Sequence, residues 1–106
     1  MKLLTKEIEK ELKKFPFHSQ DGLGMNARVI VKYFNPYGLG TWLITEGELQ
    51  EDGDWMLYGY CKITDAEWGY VMLSELQNVK PLMGLGLERD MWIGDSPTVR
   101  DLSRNM

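Results

Sequence analysis

Thr41-Trp42-Leu43-Ile44-Thr45-Glu46-Gly47-Glu48-Leu49-Gln50-Glu51-Asp52-Gly53-Asp54-Trp55-Met56-Leu57-Tyr58-Gly59-Tyr60-Cys61-Lys62-Ile63 holds two β-rich runs joined by an acidic turn. β-Branched and aromatic residues dominate both runs, and the Asp-Gly pair between them is a strong hairpin signal. Strands are expected at Thr41–Glu46 and Trp55–Ile63. With Asp52-Gly53 as a two-residue turn, Glu51 pairs with Asp54, Trp42 lies opposite Ile63, Ile44 opposite Cys61, and Leu57 opposite Glu48. Trp42, Ile44, Trp55, Leu57, Cys61 and Ile63 then share one face, and Thr41, Leu43, Thr45, Met56, Tyr58, Tyr60 and Lys62 the other. The first set is the more apolar and is the expected core face. A slip of one residue would invert the assignment.

Upstream, Arg28–Phe34 reads as a strand with Val29, Val31 and Tyr33 on one face, and Asn35-Pro36-Tyr37-Gly38 suits a type I turn. Thr5 is a fitting N-cap for a helix reaching Lys14, with Glu7 and Glu9 early and Lys13 and Lys14 late. Leu4, Ile8, Leu12 and Phe15 form its apolar stripe, and Pro16 stops it. His18–Asn26 is loop. Downstream, Thr64–Glu67 turns into a strand at Trp68–Leu73. Ser74-Glu75-Leu76-Gln77 reads as a capping box opening a short helix that ends before Pro81. A fifth strand is expected at Leu87–Ile93, and residues 94–106 as a polar tail whose turn at Thr98–Met106 frays.

The fold class is therefore α+β: an antiparallel sheet of four to five strands, an N-terminal helix packed on one face, and a short helix near residue 75. Leu4, Ile8, Leu12, Trp42, Ile44, Trp55, Leu57 and Val71 are the expected core. The helix is expected over the Tyr58 and Tyr60 face, the competing reading being that these rings form an exposed recognition strip.

A chain of 106 residues makes one domain, residues 1–106, and buries about 65% of its unfolded surface, enough to fold without metals or disulfides. The single cysteine, Cys61, has no internal partner, which fits a reducing compartment, and on a strand among apolar neighbours it reads as an unreactive buried thiol. Neither a signal-peptide run nor the roughly 18 apolar residues of a membrane span is present, so a cytoplasmic protein is expected. The net charge of −4 argues against broad phosphate-neutralising nucleic-acid binding.

Three Gly-Leu-Gly triplets, at 22–24, 38–40 and 84–86, lack the strand-then-helix setting of a phosphate loop and read as turns. His18, the lone histidine, lies in a loop with no identifiable catalytic partner. One Cys and one His do not make a zinc site, and no cofactor is expected. The carboxylates carry the remaining chemistry. Five of them and no basic residue lie between Lys32 and Lys62. They read either as solvated charge, as a surface for a basic protein partner, or as hard-metal ligands. In the partner reading, Glu48, Glu51, Asp52, Asp54 and Trp55 form the contact surface. In the metal reading, Glu46, Glu48, Glu88 and Asp90 hold Mg²⁺ or Mn²⁺ for phosphoryl transfer.

Met1-Lys2-Leu3-Leu4-Thr5-Lys6-Glu7, Thr41-Trp42, Thr45-Glu46-Gly47-Glu48, Leu73-Ser74-Glu75-Leu76 and Leu87-Glu88-Arg89-Asp90 occur in this order. Together they resemble the bacterial domain-of-unknown-function family numbered 2958, from the first residue to about Trp92. The resemblance implies an accessory protein of phages, plasmids and integrated elements, among which small acidic inhibitors of host defence nucleases are common. Some members carry a single-stranded DNA endonuclease designation. No functional residues carry over. The expectation is thus a non-catalytic binding module, with a metal-dependent single-stranded DNA endonuclease as the alternative.

Overall fold

The central hairpin forms as expected, but its turn is one residue longer. The computed structural model describes residues 1–79, 86–104 and 106. Strands β2 (Thr41–Leu49) and β3 (Trp55–Lys62) are antiparallel. The Gly53 N–H donates to Gln50 O at 3.0 Å and the Gln50 N–H to Asp54 O at 2.8 Å, with Gly53 at φ 88°. This is a three-residue loop, a type I turn followed by a left-handed residue, where glycine carries no Cβ penalty. Leu49 therefore faces Trp55, Glu48 faces Met56, and Gly47 rather than Glu48 faces Leu57.

A second irregularity follows. The register shifts between Ile44 and Glu46, so Thr45 is an inserted residue, and beyond it Ile44 pairs with Gly59 and Trp42 with Cys61. The bulge and the longer turn displace the register by one residue each. Two such shifts restore the original facing. Trp42, Ile44, Trp55 and Leu57 consequently do share the core, with Cys61 packed against it, although their partners differ from the simple hairpin. Ile63 lies beyond β3 and is exposed.

The sheet is completed by β1 (Val31–Phe34), β4 (Ala66–Met72) and β5 (Glu88–Arg89), in the order β4-β3-β2-β1-β5, antiparallel throughout. β1 begins later than the Arg28–Phe34 pattern suggests. Val31 and Tyr33 enter the main core, whereas Val29 turns to the other side, its N–H bonding Pro97 O. β5 is reduced to two residues.

Helix α1 (Lys6–Leu12) is capped by Thr5, whose hydroxyl accepts the Ile8 N–H. It packs on the Trp42–Ile44–Leu57 side, inserting Leu12 with Ile8 and Leu4 partly buried beside it, and not over Tyr58 and Tyr60 as expected. The reason is volume. That side carries the larger apolar set and must be covered first. Helix α2 (Leu73–Gln77) closes the same core with Leu73 and Leu76. Its N-cap is Met72, not Ser74, because the Glu75 carboxylate reaches back to the Met72 N–H. Ser74, one turn position inside, is used otherwise.

The second face has its own small core of Ala27, Val29, Leu43 and Val99. It is covered by the 3-10 turn Gly24–Asn26 and by α3 (Val99–Ser103). Within the C-terminal segment, Val99–Ser103 is helical. Thr98 and Asp101 form a capping box, Val99 is fully buried, and Arg28 bridges to Thr98. The triplet at 84–86 lies mostly outside the described residues. No helix among the described residues is long and apolar enough to cross a membrane.

Candidate functional site

α3 and the 3-10 turn cover the second face over β1 and β2, and the small core beneath them reaches Tyr60 of β3 and Trp68 of β4. The rest of that face, over β3 and β4, is left to aromatic rings. Even-numbered residues of both strands point there, so Tyr58, Tyr60, Trp68 and Tyr70 form a continuous group. Tyr58 and Trp68 stack with centroids 5.8 Å apart, Tyr58 and Tyr70 lie at 4.8 Å, and Tyr60 and Trp68 at 5.2 Å. Phe17, from the loop after α1, adds its ring edge-on to Tyr70 at 5.3 Å. Tyr70 is 57% exposed, and Tyr58, Tyr60 and Trp68 are half-buried.

The bulge in β2 supplies the polar half of the site. Strict alternation from Trp42 and Ile44 would send Glu46 and Glu48 into the main core. The inserted Thr45 reverses them, and Thr45 and Glu46 then face the same side. Glu46 is 4% exposed. Its carboxylate accepts the His18 N–H at 3.0 Å and the Gln20 N–H at 2.8 Å, while Glu48 accepts the Phe17 N–H at 3.1 Å. These bonds hold the loop that brings Phe17 to Tyr70. His18, itself one of the two donors to Glu46, adopts the left-handed conformation, φ 75°.

Gln20 locks the other side of the loop. Its amide donates to Arg28 O and Thr45 O and accepts the Arg28 N–H, at 2.9, 2.8 and 2.7 Å. Between loop and rings lies a cleft of about 330 Å³, lined by Gln20, Asp21, Thr45, Glu46, Tyr58 and Trp68 among others. Burial, then Tyr70 and Glu46, push the Tyr58 phenol up, so it stays neutral.

The residues expected at a partner surface are divided by the structure. Glu51 and Asp52 are exposed at the turn, and Glu48 is exposed at the margin of the aromatic group. Trp55 is 3% exposed and belongs to the main core, so its ring is withdrawn from the surface. Asp54 is spent internally, accepting the Ser74 hydroxyl and the N–H groups of Ser74 and Trp55. It supplies an acceptor and a charge to the first turn of α2, whose leading N–H groups have no intrahelical partners.

Ser74 chiefly, with the Trp55 and Ser74 N–H groups, holds the Asp54 carboxyl below its ordinary value. A depressed folded-state pKa stabilises above the unfolded value, near about 4, and the benefit is lost as pH falls through the folded one. Asp54→Asn should therefore cost about 1–2 kcal/mol at pH 7, with the gap to wild type closing in acid melts. An equal gap at pH 7 and pH 3 would contradict this role.

The four carboxylates of the metal reading are not brought together. Glu88 faces Phe34, which faces Thr41, five residues along β2 from Glu46, placing the two roughly 20 Å apart. Asp90 pairs with Lys32 at 3.4 Å. Among the described residues, no three acidic, histidine or cysteine side chains converge. His18 is exposed beside Asp21, at 3.0 Å, and burial pushes the Cys61 thiol up to about 11. Phe17, Gln20 and Asp21 have no signature of their own in the sequence. Their roles arise only when the loop folds over the bulge.

A protein-family model described as "Protein of unknown function (DUF2958)" matches residues 3–102. The chain belongs to this family. The DUF2958 match continues past Trp92, where the motif resemblance ends, and takes in α3 as far as Leu102. Neither a curated protein nor a solved structure matches the chain.

Proposed function

We propose that this DUF2958 chain is a non-catalytic protein-binding module that presents its Phe17–Tyr70–Tyr58–Trp68–Tyr60 face to a basic protein partner. The observation that carries the reading is a contiguous aromatic group that runs from Tyr60 and Trp68, packed against the second core, out to Tyr70, which is 57% exposed. Exposed clustered rings are characteristic of binding surfaces, because they offer large contact area at small entropic cost. Asp21 and Glu48 border the rings, so the charge complement is basic. The turn carboxylates Glu51 and Asp52 would add steering at a distance. In the accessory setting that the resemblance implies, the partner is a nuclease whose basic surface otherwise holds phosphate.

The test is affinity capture from a native host with three baits: wild type, Tyr70→Asp, and Glu51→Lys with Asp52→Lys. A basic protein retained by wild type, lost by more than tenfold with Tyr70→Asp, and released by raised salt supports the reading. Asp54 is excluded from the charge reversal because of its structural bonds. Loss through the turn variant alone would move recognition to the turn, and capture indifferent to both variants would refute a surface on either.

A further inference from the structure

We infer that the cleft between Tyr58, Trp68, Glu46 and Asp21 is a subsite for one protonated side chain of the partner, arginine in preference to lysine. This rests on the aromatic face being the partner surface, and names what that face reads.

The chemistry of the lining selects the occupant. Of its side-chain donors, the Gln20 amide is committed to Arg28 O and Thr45 O, and the Thr45 hydroxyl to Tyr58 O at 3.3 Å, which leaves the Tyr58 hydroxyl and the Trp68 indole N–H. No Lys, Arg or His lines it. Beyond those two donors, the lining offers acceptor capacity, two carboxylates and aromatic surface. Each Glu46 oxygen receives one backbone N–H and keeps a second lone-pair direction, and Asp21 uses one oxygen towards His18. Tyr58 and Trp68 supply the aromatic wall. An anion would meet two carboxylates, and an apolar group would use neither their charge nor their remaining lone pairs. A cation satisfies both halves, through charge-assisted hydrogen bonds and attraction to the rings.

Arginine is preferred because its planar guanidinium stacks on rings while its several N–H groups reach separate acceptors. Glu46 is held in place by the loop bonds, so the site is preorganised. That limits the ordering cost of binding.

The probe is Nα-acetyl-arginine N-methylamide, titrated against the isotopically labelled full chain by NMR, with the citrulline analogue as its neutral counterpart. The arginine probe should produce saturable shifts at the Trp68 indole N–H and at the Gly22 and Gly24 amides. Citrulline should bind about fivefold or more weakly. Asp21→Asn should weaken the arginine probe severalfold, and Trp68→Leu should abolish its saturation while the remaining amide spectrum stays native. Equal binding of citrulline, or shifts that never saturate, would overturn the inference. So would saturable shifts centred outside the cleft. The two proposals fail separately. A partner retained by Tyr70→Asp defeats the surface reading even if arginine saturates the cleft, and a partner lost by it leaves that reading standing even if arginine does not bind.

Discussion

Gly59→Ala is expected to lower stability by about 3–5 kcal/mol, which for a domain of this size moves Tm down by about 12–30 °C. Gly59 lies in mid-β3 opposite Ile44, immediately before the bulge. A Cβ built there would stand 2.0 Å from Leu43 O, 2.8 Å from Leu43 C and 2.9 Å from Ile44 Cα. All three are backbone atoms, so no rotamer change relieves the clash, and β2 and β3 would have to separate at the middle of the sheet. Glycine inside a strand usually weakens it, and here marks a close approach of two backbones. Gly69 is the control. It lies in β4 and pairs with Gly59 of β3, but a Cβ there meets nothing within 4 Å. Gly69→Ala should therefore change stability by less than about 1 kcal/mol. Thermal melts of the two variants decide the matter, and equal Tm values would show that β2 and β3 tolerate separation.

The second large effect is expected at Glu46. Glu46→Ala removes the acceptor of two backbone N–H groups in a site where Glu46 is 4% exposed and Gln20 6%. Each stranded donor carries its own desolvation penalty, and a cavity is added, for a total of about 3–5 kcal/mol. Glu46→Gln keeps one carbonyl acceptor but turns an amide donor towards a backbone donor, and should cost about 1–3 kcal/mol. Locally, the loop should be released before the sheet. His18 holds a left-handed conformation at a position that is not glycine, and its neighbouring bonds to Glu46 keep it there. Hydrogen exchange should accelerate at the His18 and Gln20 amides by more than it does at Leu43 or Leu57. Uniform acceleration across all four would show that Glu46 supports the whole fold and not the loop.

These two residues mark the boundary between what was legible in the sequence and what was not. The hairpin, the α+β class, the N-terminal helix with its Thr5 cap, and most of the core were readable from period-two and helical spacing, because such patterns are local consequences of backbone geometry. Leu12, Trp42, Ile44, Trp55 and Leu57 are buried accordingly. The bulge at Thr45 was not readable. Its signal is a pairing between residues 13 apart, Thr45 with the Tyr58 carbonyl, and no local propensity specifies it. Yet it decides whether Glu46 and Glu48 enter the core or face the loop, and so whether the cleft exists.

The C-terminal helix was equally hidden. Thr98 and Asp101 form a capping box, but a five-residue helix is not stable alone and persists by burying Val99 against Leu43 and Val29. By itself, then, the sequence determined the central strands, the N-terminal helix and the short helix near residue 75, and which side chains are apolar enough to be buried. Only the tertiary structure decided which face α1 covers, which carboxylates are spent on backbone donors, and which rings stay uncovered. Those outcomes depend on packing volume and on hydrogen-bond partners far apart in the chain, and both are defined only once the sheet has formed.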